Sequence, residues 1–199
     1  ILKEELIPAM GCTEPIALAY AAAVARKTLG EMPDKVVVEA SGSIIKNVKS
    51  VIVPNTGHLK GINAAAAAGI VAGDPDKKLE VIATVSQEQI RQMKQFMEEV
   101  PIQVVHMEDG CTFDIIVTVF SGKSYAKVRI ANFHTNIVLI EKNGEVLKSE
   151  AVSDDSEEGL TDRTLLDMEH IWDFAMTADI DDVKALLDQQ VAFNVAIAE

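Results

Sequence analysis

Residues 113–148 read FDIIVTVFSGKSYAKVRIANFHTNIVLIEKNGEVLK, and this stretch decides the fold class. Phe113, Ile115, Val117 and Val119 fall on one side of an extended chain, the two-residue period of a strand. Ser121-Gly122-Lys123 supplies a turn, and Tyr125–Ala131 reads as the next strand, with Lys127 and Arg129 on one face. Thr135–Glu141 runs into Asn143-Gly144. That pair favours a two-residue hairpin because both residues tolerate left-handed backbone angles. Glu145–Lys148 is then the return strand, and Ile102–His106 lies just upstream as a further one.

Working outward, helical signals flank this block on both sides. Residues 14–28 predict a helix that is small and apolar nearly all round, with Pro15 in its first turn and Gly30 just past its end. Lys35–Ser43 is Val-rich and reads as a strand. Val51-Ile52-Val53 is a short apolar run closed by the turn Pro54-Asn55-Thr56-Gly57. Gly61–Ala72 is an Ala-rich helix stopped by Gly73-Asp74-Pro75, and Leu79–Val85 reads as a strand. Ser86 and Gln89 form a capping box ahead of a helix carrying Ile90, Met93 and Met97, which Pro101 ends. After Glu150–Gly159, an acidic stretch with the composition of a solvated linker, two amphipathic helices are marked by Leu165, Met168, Trp172 and Ala175, and by Ile180, Val183, Leu187, Val191 and Val195.

The layout predicts an α+β fold, a mixed α/β sheet domain inserted in a mostly helical domain. Residues 33–149 form the insert, 1–32 and 160–199 the helical parts, and 150–159 the linker. The chain begins without Met, and its last apolar helix has no Gly, Asn or Pro stop signal, so the helical domain is expected to be truncated.

Of the 199 residues, 48% are hydrophobic, much of that alanine, and only 5% aromatic, so the core is aliphatic. A net charge of −13 repels phosphate backbones and anionic lipid headgroups, which excludes nucleic acid and membrane surfaces as expected partners. No apolar run approaches the roughly 20 residues needed to span a bilayer. The charged start, Ile1-Leu2-Lys3-Glu4-Glu5, is not a signal peptide. Two distant cysteines, Cys12 and Cys111, suggest no disulfide framework and favour a reducing, cytoplasmic compartment.

Three polar constellations are candidates for chemistry. In Gly11-Cys12-Thr13-Glu14-Pro15, Cys12 stands at a helix start, where backbone N–H groups and the helix dipole favour a thiolate. That suits a nucleophile or a soft-metal ligand; the plainer alternative is a small buried hydrophobe. In Asn55-Thr56-Gly57-His58-Leu59-Lys60-Gly61, a polar turn precedes a helix, and its amides, Asn55, Thr56 and Lys60 suit a carboxylate, against the plain alternative of a helix cap. Asn132-Phe133-His134-Thr135-Asn136 joins two strands and offers His134 for proton transfer, against an ordinary β-turn. Cys111, His106 and His170 read as structural.

Taken in order, G-C-T-E-P-I-A-L-A, P-N-T-G-H-L-K-G with A-A-A-A-A-G-I-V-A-G-D-P, and F-H-T-N-I-V-L-I with N-G make the chain resemble the L-cysteine desulfidase family, relatives of the iron–sulfur L-serine dehydratases. The resemblance covers about the whole chain. It implies a [4Fe–4S] lyase that removes sulfide and ammonia from L-cysteine to give pyruvate, with serine deamination as a related activity. It places one cluster ligand at Cys12, and the other cluster cysteines in a C-terminal half that this chain does not contain. This chain alone would then lack an intact cluster and be inactive. It further implies a substrate carboxylate near Asn55, Thr56, Gly57 and Lys60. His58 and His134 would transfer protons, supported by Thr13, Glu14, Thr135 and Asn136. A homo-oligomer is compatible with this reading. Two competing readings are a non-catalytic amino-acid-binding regulatory module and a metal-free enzyme using Cys12 as nucleophile.

Overall fold

The computed structural model describes residues 1–9, 11–152 and 161–198, except the side chain at 197. Most of the expected linker at 150–159 lies outside the described residues. The helices are α1 (Leu2–Glu5), α2 (Thr13–Leu29), α3 (Gly42–Val48), α4 (Gly61–Ala72), α5 (Gln87–Glu99), α6 (Met168–Thr177) and α7 (Ile180–Ala198). The strands are β1 (Lys35–Ser41), β2 (Ile102–Met107), β3 (Asp114–Ser121), β4 (Ser124–Ala131), β5 (Ile137–Lys142) and β6 (Glu145–Ser149). The chain is α+β and divides into two compact units, Ala9–Asp154 and Ile1–Pro8 with Asp155–Glu199.

In the larger unit the strands form one mixed sheet in the order β2-β1-β3-β4-β5-β6. β1 and β2 are parallel, because α3, α4 and α5 make the crossover between them. Every other pairing is antiparallel. The alternation seen in the sequence sets which face is buried. Val36, Val38 and Ala40 of β1, Ile115, Val117 and Val119 of β3, and Ala126, Val128 and Ile130 of β4 are fully shielded on that face. Burying each large aliphatic side chain of this kind contributes about 1.5–3 kcal/mol.

Helix α2 lies against β3, β4 and β5, with α4 on its other side and α5 beyond α4. This explains why α2 has no polar face in its middle: Pro15 through Ala23 are all buried. Alanines on α2 and α4 let the two backbones approach closely. The approach is tightest at Gly69, where an added Cβ would overlap the carbonyl oxygen of Ala19 and fall 2.8 Å from its carbonyl carbon. Gly30 ends α2 in the left-handed conformation (φ 92°), its N–H bonded to the Arg26 carbonyl at 3.0 Å. The Lys142 ammonium donates to the Leu29 carbonyl at 3.0 Å, which ties that helix end to β5.

Three sequence expectations differ from the structure. Leu79–Val85 is not a strand: two short 3-10 turns, broken at Lys78 (φ 48°), cover Pro75–Glu80, the first started by the Asp74 side chain accepting from the Asp76 N–H. Val81 and Ile82 are apolar because they are buried in the core, without a strand partner. The strand expected over 35–43 ends at Ser41, and the chain turns straight into α3. Residues 13–29, grouped by the sequence reading with the helical part over 1–32, lie in the sheet unit, because an all-round apolar helix needs cover on both sides and the sheet and α4 supply it.

The smaller unit joins α1 to the segment before α6. The N–H and hydroxyl of Thr161 donate to Glu4 at 3.0 and 2.7 Å. Arg163 pairs with Glu4 and Glu5. The Thr161 hydroxyl bond, foremost, holds the Glu4 carboxyl below its ordinary range. Asp167 caps α6 by accepting from the His170 N–H at 2.8 Å. Among the described residues no helix is long and apolar enough to cross a membrane.

Candidate functional site at the start of helix α2

The start of α2 gathers residues far apart in the sequence. Gly11 takes φ 130°, a conformation that L side chains rarely adopt, and turns the chain into the helix. Cys12 is the N-cap residue, but its side chain makes no capping bond. Its thiol instead donates to the Glu14 Oε2 at 3.1 Å. The other Glu14 oxygen accepts from the Asn47 side chain, at the end of α3, at 3.3 Å. A Cβ added to Gly11 would meet the Pro54 Cγ at 3.5 Å, so the Pro54–Lys60 turn abuts the Gly11–Pro15 stretch. His134, between β4 and β5, is half-buried and lies near enough to Glu14 for their charges to interact. Its ring packs on Phe113, with centroids 4.5 Å apart.

The electrostatics reverse one expectation. Helix-start geometry favoured a Cys12 thiolate, yet partial desolvation, then the hydrogen bond to Glu14 and that carboxylate's charge, push the thiol above its ordinary pKa. The negative charge at this helix end sits on Glu14. Desolvation pulls its carboxyl upward but is outweighed by the Cys12 thiol, its own backbone N–H, Asn47 and His134, which together hold it below its usual value. Burial pushes the His134 imidazole down, opposed by the charge of Glu14. At neutral pH these directions favour a protonated thiol, an ionised carboxylate and a neutral imidazole, and it is the protonated form of that imidazole, at lower pH, that draws the Glu14 carboxyl down.

The other predicted site residues divide. Thr13 is half-buried in the first turn of α2. Asn55 spends its amide on the Ile82 and Ala83 carbonyls at 3.0 and 3.1 Å. Thr56 is buried, and its hydroxyl donates to the Val53 carbonyl at 2.7 Å. Gly57 and His58 take left-handed angles at the tip of the turn. His58 and Lys60 are exposed, and among the described residues no hydrogen bond or ion pair joins either to Cys12, Glu14 or His134. Asn136 donates to the Ala131 carbonyl at 3.0 Å, and the Thr135 carbonyl accepts from the Ile137 N–H at 3.1 Å, so both also shape their own turn. Asn47 and Phe113 were not singled out from sequence. Asn47 lies in a helix the sequence did not reveal, and Phe113 read as one more strand residue.

Cys111 belongs to a separate cluster at the head of β3. Its thiol donates to the Phe113 carbonyl at 3.0 Å, and Asp114, fully buried, is held by two bonds from Arg129 at 2.9 and 2.6 Å. Among the described residues no group of three or more His, Cys, Asp or Glu side chains is placed to hold a metal ion.

Fold and site together define an α+β sheet protein with a cysteine–glutamate–histidine cluster at the start of a helix that is buried through its middle. The chain is similar to curated proteins named UPF0597. It is 56% identical over 198 residues to one from Desulfitobacterium hafniense, covering 100% of this chain and 46% of the relative. To one from Treponema denticola it is 42% identical over 200 residues, covering 100% of this chain and 46% of the relative. To one from Lachnoclostridium phytofermentans it is 44% identical over 199 residues, covering 100% and 48%. The chain therefore spans about half the length of the curated relatives it matches. No family model and no solved structure matches it.

Proposed function

We propose that this chain is part of a cytoplasmic iron–sulfur lyase that releases sulfide and ammonia from L-cysteine, or ammonia from L-serine, and leaves pyruvate. The observation that carries the reading is the convergence of three separated motifs on the start of α2: Cys12 with Glu14, Pro54 of the second turn, and His134 of the third. The sequence resemblance supplies the reaction. Cys12 fits one corner of a cluster. Cys12 is an exposed residue, and a carboxylate oxygen stands 3.1 Å from its sulfur to take the proton the thiol must lose on ligation. The donor set of this chain supplies that one corner only, since Cys111 is bonded into the head of β3. A [4Fe–4S] cluster held by three cysteines would supply an iron with an open position, a Lewis acid suited to a sulfur leaving group.

The remaining roles belong to this chain's own side chains. His134 is neutral, and a neutral ring nitrogen can accept the α-proton of the substrate. The electron pair of that C–H bond forms the α,β double bond as the β-substituent leaves, and the resulting enamine hydrolyses to pyruvate and ammonia. Glu14, ionised and braced by Asn47, stabilises the imidazolium formed at His134. Packing against Phe113 fixes the ring. A metal-free Cys12 nucleophile is the poorer reading, because the thiol is raised rather than activated.

The test is anaerobic turnover of the protein expressed from its own gene, with pyruvate and sulfide release from L-cysteine measured. His134→Ala is expected to lower kcat by about 10²–10⁴. Unchanged kcat in that variant removes His134 from the mechanism, and absence of pyruvate from both L-cysteine and L-serine removes the lyase reading.

A further inference from the structure

Asp114 is a fully buried carboxylate that the proposed reaction does not use. It opens β3 directly after Phe113. Arg129, on the neighbouring strand β4, donates to it through Nε at 2.9 Å and through Nη2 at 2.6 Å. A two-pronged guanidinium bond of this kind fixes direction as well as distance. The Cys111 N–H donates to the same carboxylate at 3.3 Å.

The residues just ahead of Asp114 are held as well. The Thr112 carbonyl accepts from the Ser41 hydroxyl at 2.8 Å and from the Ser43 hydroxyl on α3. The Phe113 carbonyl accepts from the Cys111 thiol at 3.0 Å and from the Asn132 N–H at 2.9 Å. Asn132 begins the turn that carries His134, so this last bond ties the two segments together. What the braced segment presents is the Phe113 ring, packed on His134 with centroids 4.5 Å apart. A buried ion pair is weak evidence for stability, because apolar side chains of similar volume often serve as well. Its directed bonds can hold a segment in one place.

We propose that Arg129 is a positioning residue for His134: through Asp114 it locks residues 111–113, and the locked segment holds the Phe113 ring against the imidazole. The catalytic consequence rests on His134 being the base of the proposed lyase; the contact itself does not. A base must keep its nitrogen within hydrogen-bond reach of the proton it removes, so a loosened ring costs rate.

Diethyl pyrocarbonate modifies accessible, neutral imidazoles. The experiment labels the protein expressed from its own gene at mildly alkaline pH and follows each histidine by peptide mass spectrometry. His58 and His170, both exposed, are the internal standards. Phe113→Leu removes the ring and Arg129→Met removes the lock. Each is expected to speed labelling of His134 about threefold or more relative to His170, with His58 unchanged. Arg129→Lys keeps a cation for Asp114 and is expected to stay nearer the parent. In turnover, Arg129→Met is expected to lower kcat by about 10- to 100-fold with KM nearly unchanged. Should Arg129→Met lose its circular dichroism, Ser43→Ala releases the same segment from the α3 side, and the same direction is expected. A His134 rate that stays at the parent value in Phe113→Leu, or in the folded lock variant, overturns the proposal. So does a rise shared equally by His58. A parent without turnover counts against the lyase reading alone, because the labelling decides the positioning by itself.

Discussion

At the scale of single residues, the chemistry of the α2 start depends on which group holds the negative charge. The helix N-terminus stabilises one anion well, and Glu14, two residues inside, takes that place and leaves Cys12 as a donor. Replacing Glu14 with Gln removes the charge and the strong acceptor that raise the thiol. The Cys12 pKa is therefore expected to fall in Glu14→Gln. Alkylation of Cys12 by iodoacetamide, followed by peptide mass spectrometry, would begin at lower pH than in the parent chain. An alkylation profile that stays put or moves to higher pH would show that Glu14 does not set the thiol. Cys12 and Glu14 stood out in the sequence because they lie between Gly11 and Pro15, and His134 because it lies in a polar turn between two strands. Asn47 and Phe113 were not, because each earns its place through a tertiary contact that leaves no local trace. Asn55, Thr56 and Asn136 carried the opposite problem. Their polarity suggested a ligand, and their side chains close the protein's own turns.

At the scale of elements, local signals worked where backbone chemistry is self-contained. The Ser86–Gln89 capping box forms with both reciprocal bonds, and Asn143 and Gly144 take the left-handed angles of a two-residue hairpin. They failed where tertiary burial imitates a strand. Val81 and Ile82 are apolar for the sake of the core, and α3 starts at Gly42 directly after β1, so the expected strand ran two residues into a helix. The α2–α4 contact was only half visible. Its alanines suggested close packing, but only the structure locates the closest point, at Gly69 against the Ala19 carbonyl. A methyl group there must push apart two backbones, not a flexible side chain. Gly69→Ala is therefore expected to destabilise the sheet unit by about 3 kcal/mol, despite alanine's better helix propensity. Urea unfolding measures this, and a variant as stable as the parent would mean that α2 and α4 do not approach so closely.

At the scale of the whole molecule, the sheet unit brings all three sequence motifs to the start of α2. The order of elements allowed the α+β class to be read from residues 113–148 outward. The grouping of α2 with the sheet could not be read that way, because nothing in a uniformly apolar helix says which neighbours bury it. The central claim is that the sulfur of Cys12 is a cluster ligand while that of Cys111 is structural. Iron and acid-labile sulfide content measures this directly in the protein expressed anaerobically from its own gene, beside its Cys12→Ser and Cys111→Ser variants. The account predicts bound iron and sulfide in the parent and in Cys111→Ser, and their loss in Cys12→Ser. An iron-free parent, or a Cys12→Ser variant that keeps its full iron and sulfide, would contradict it.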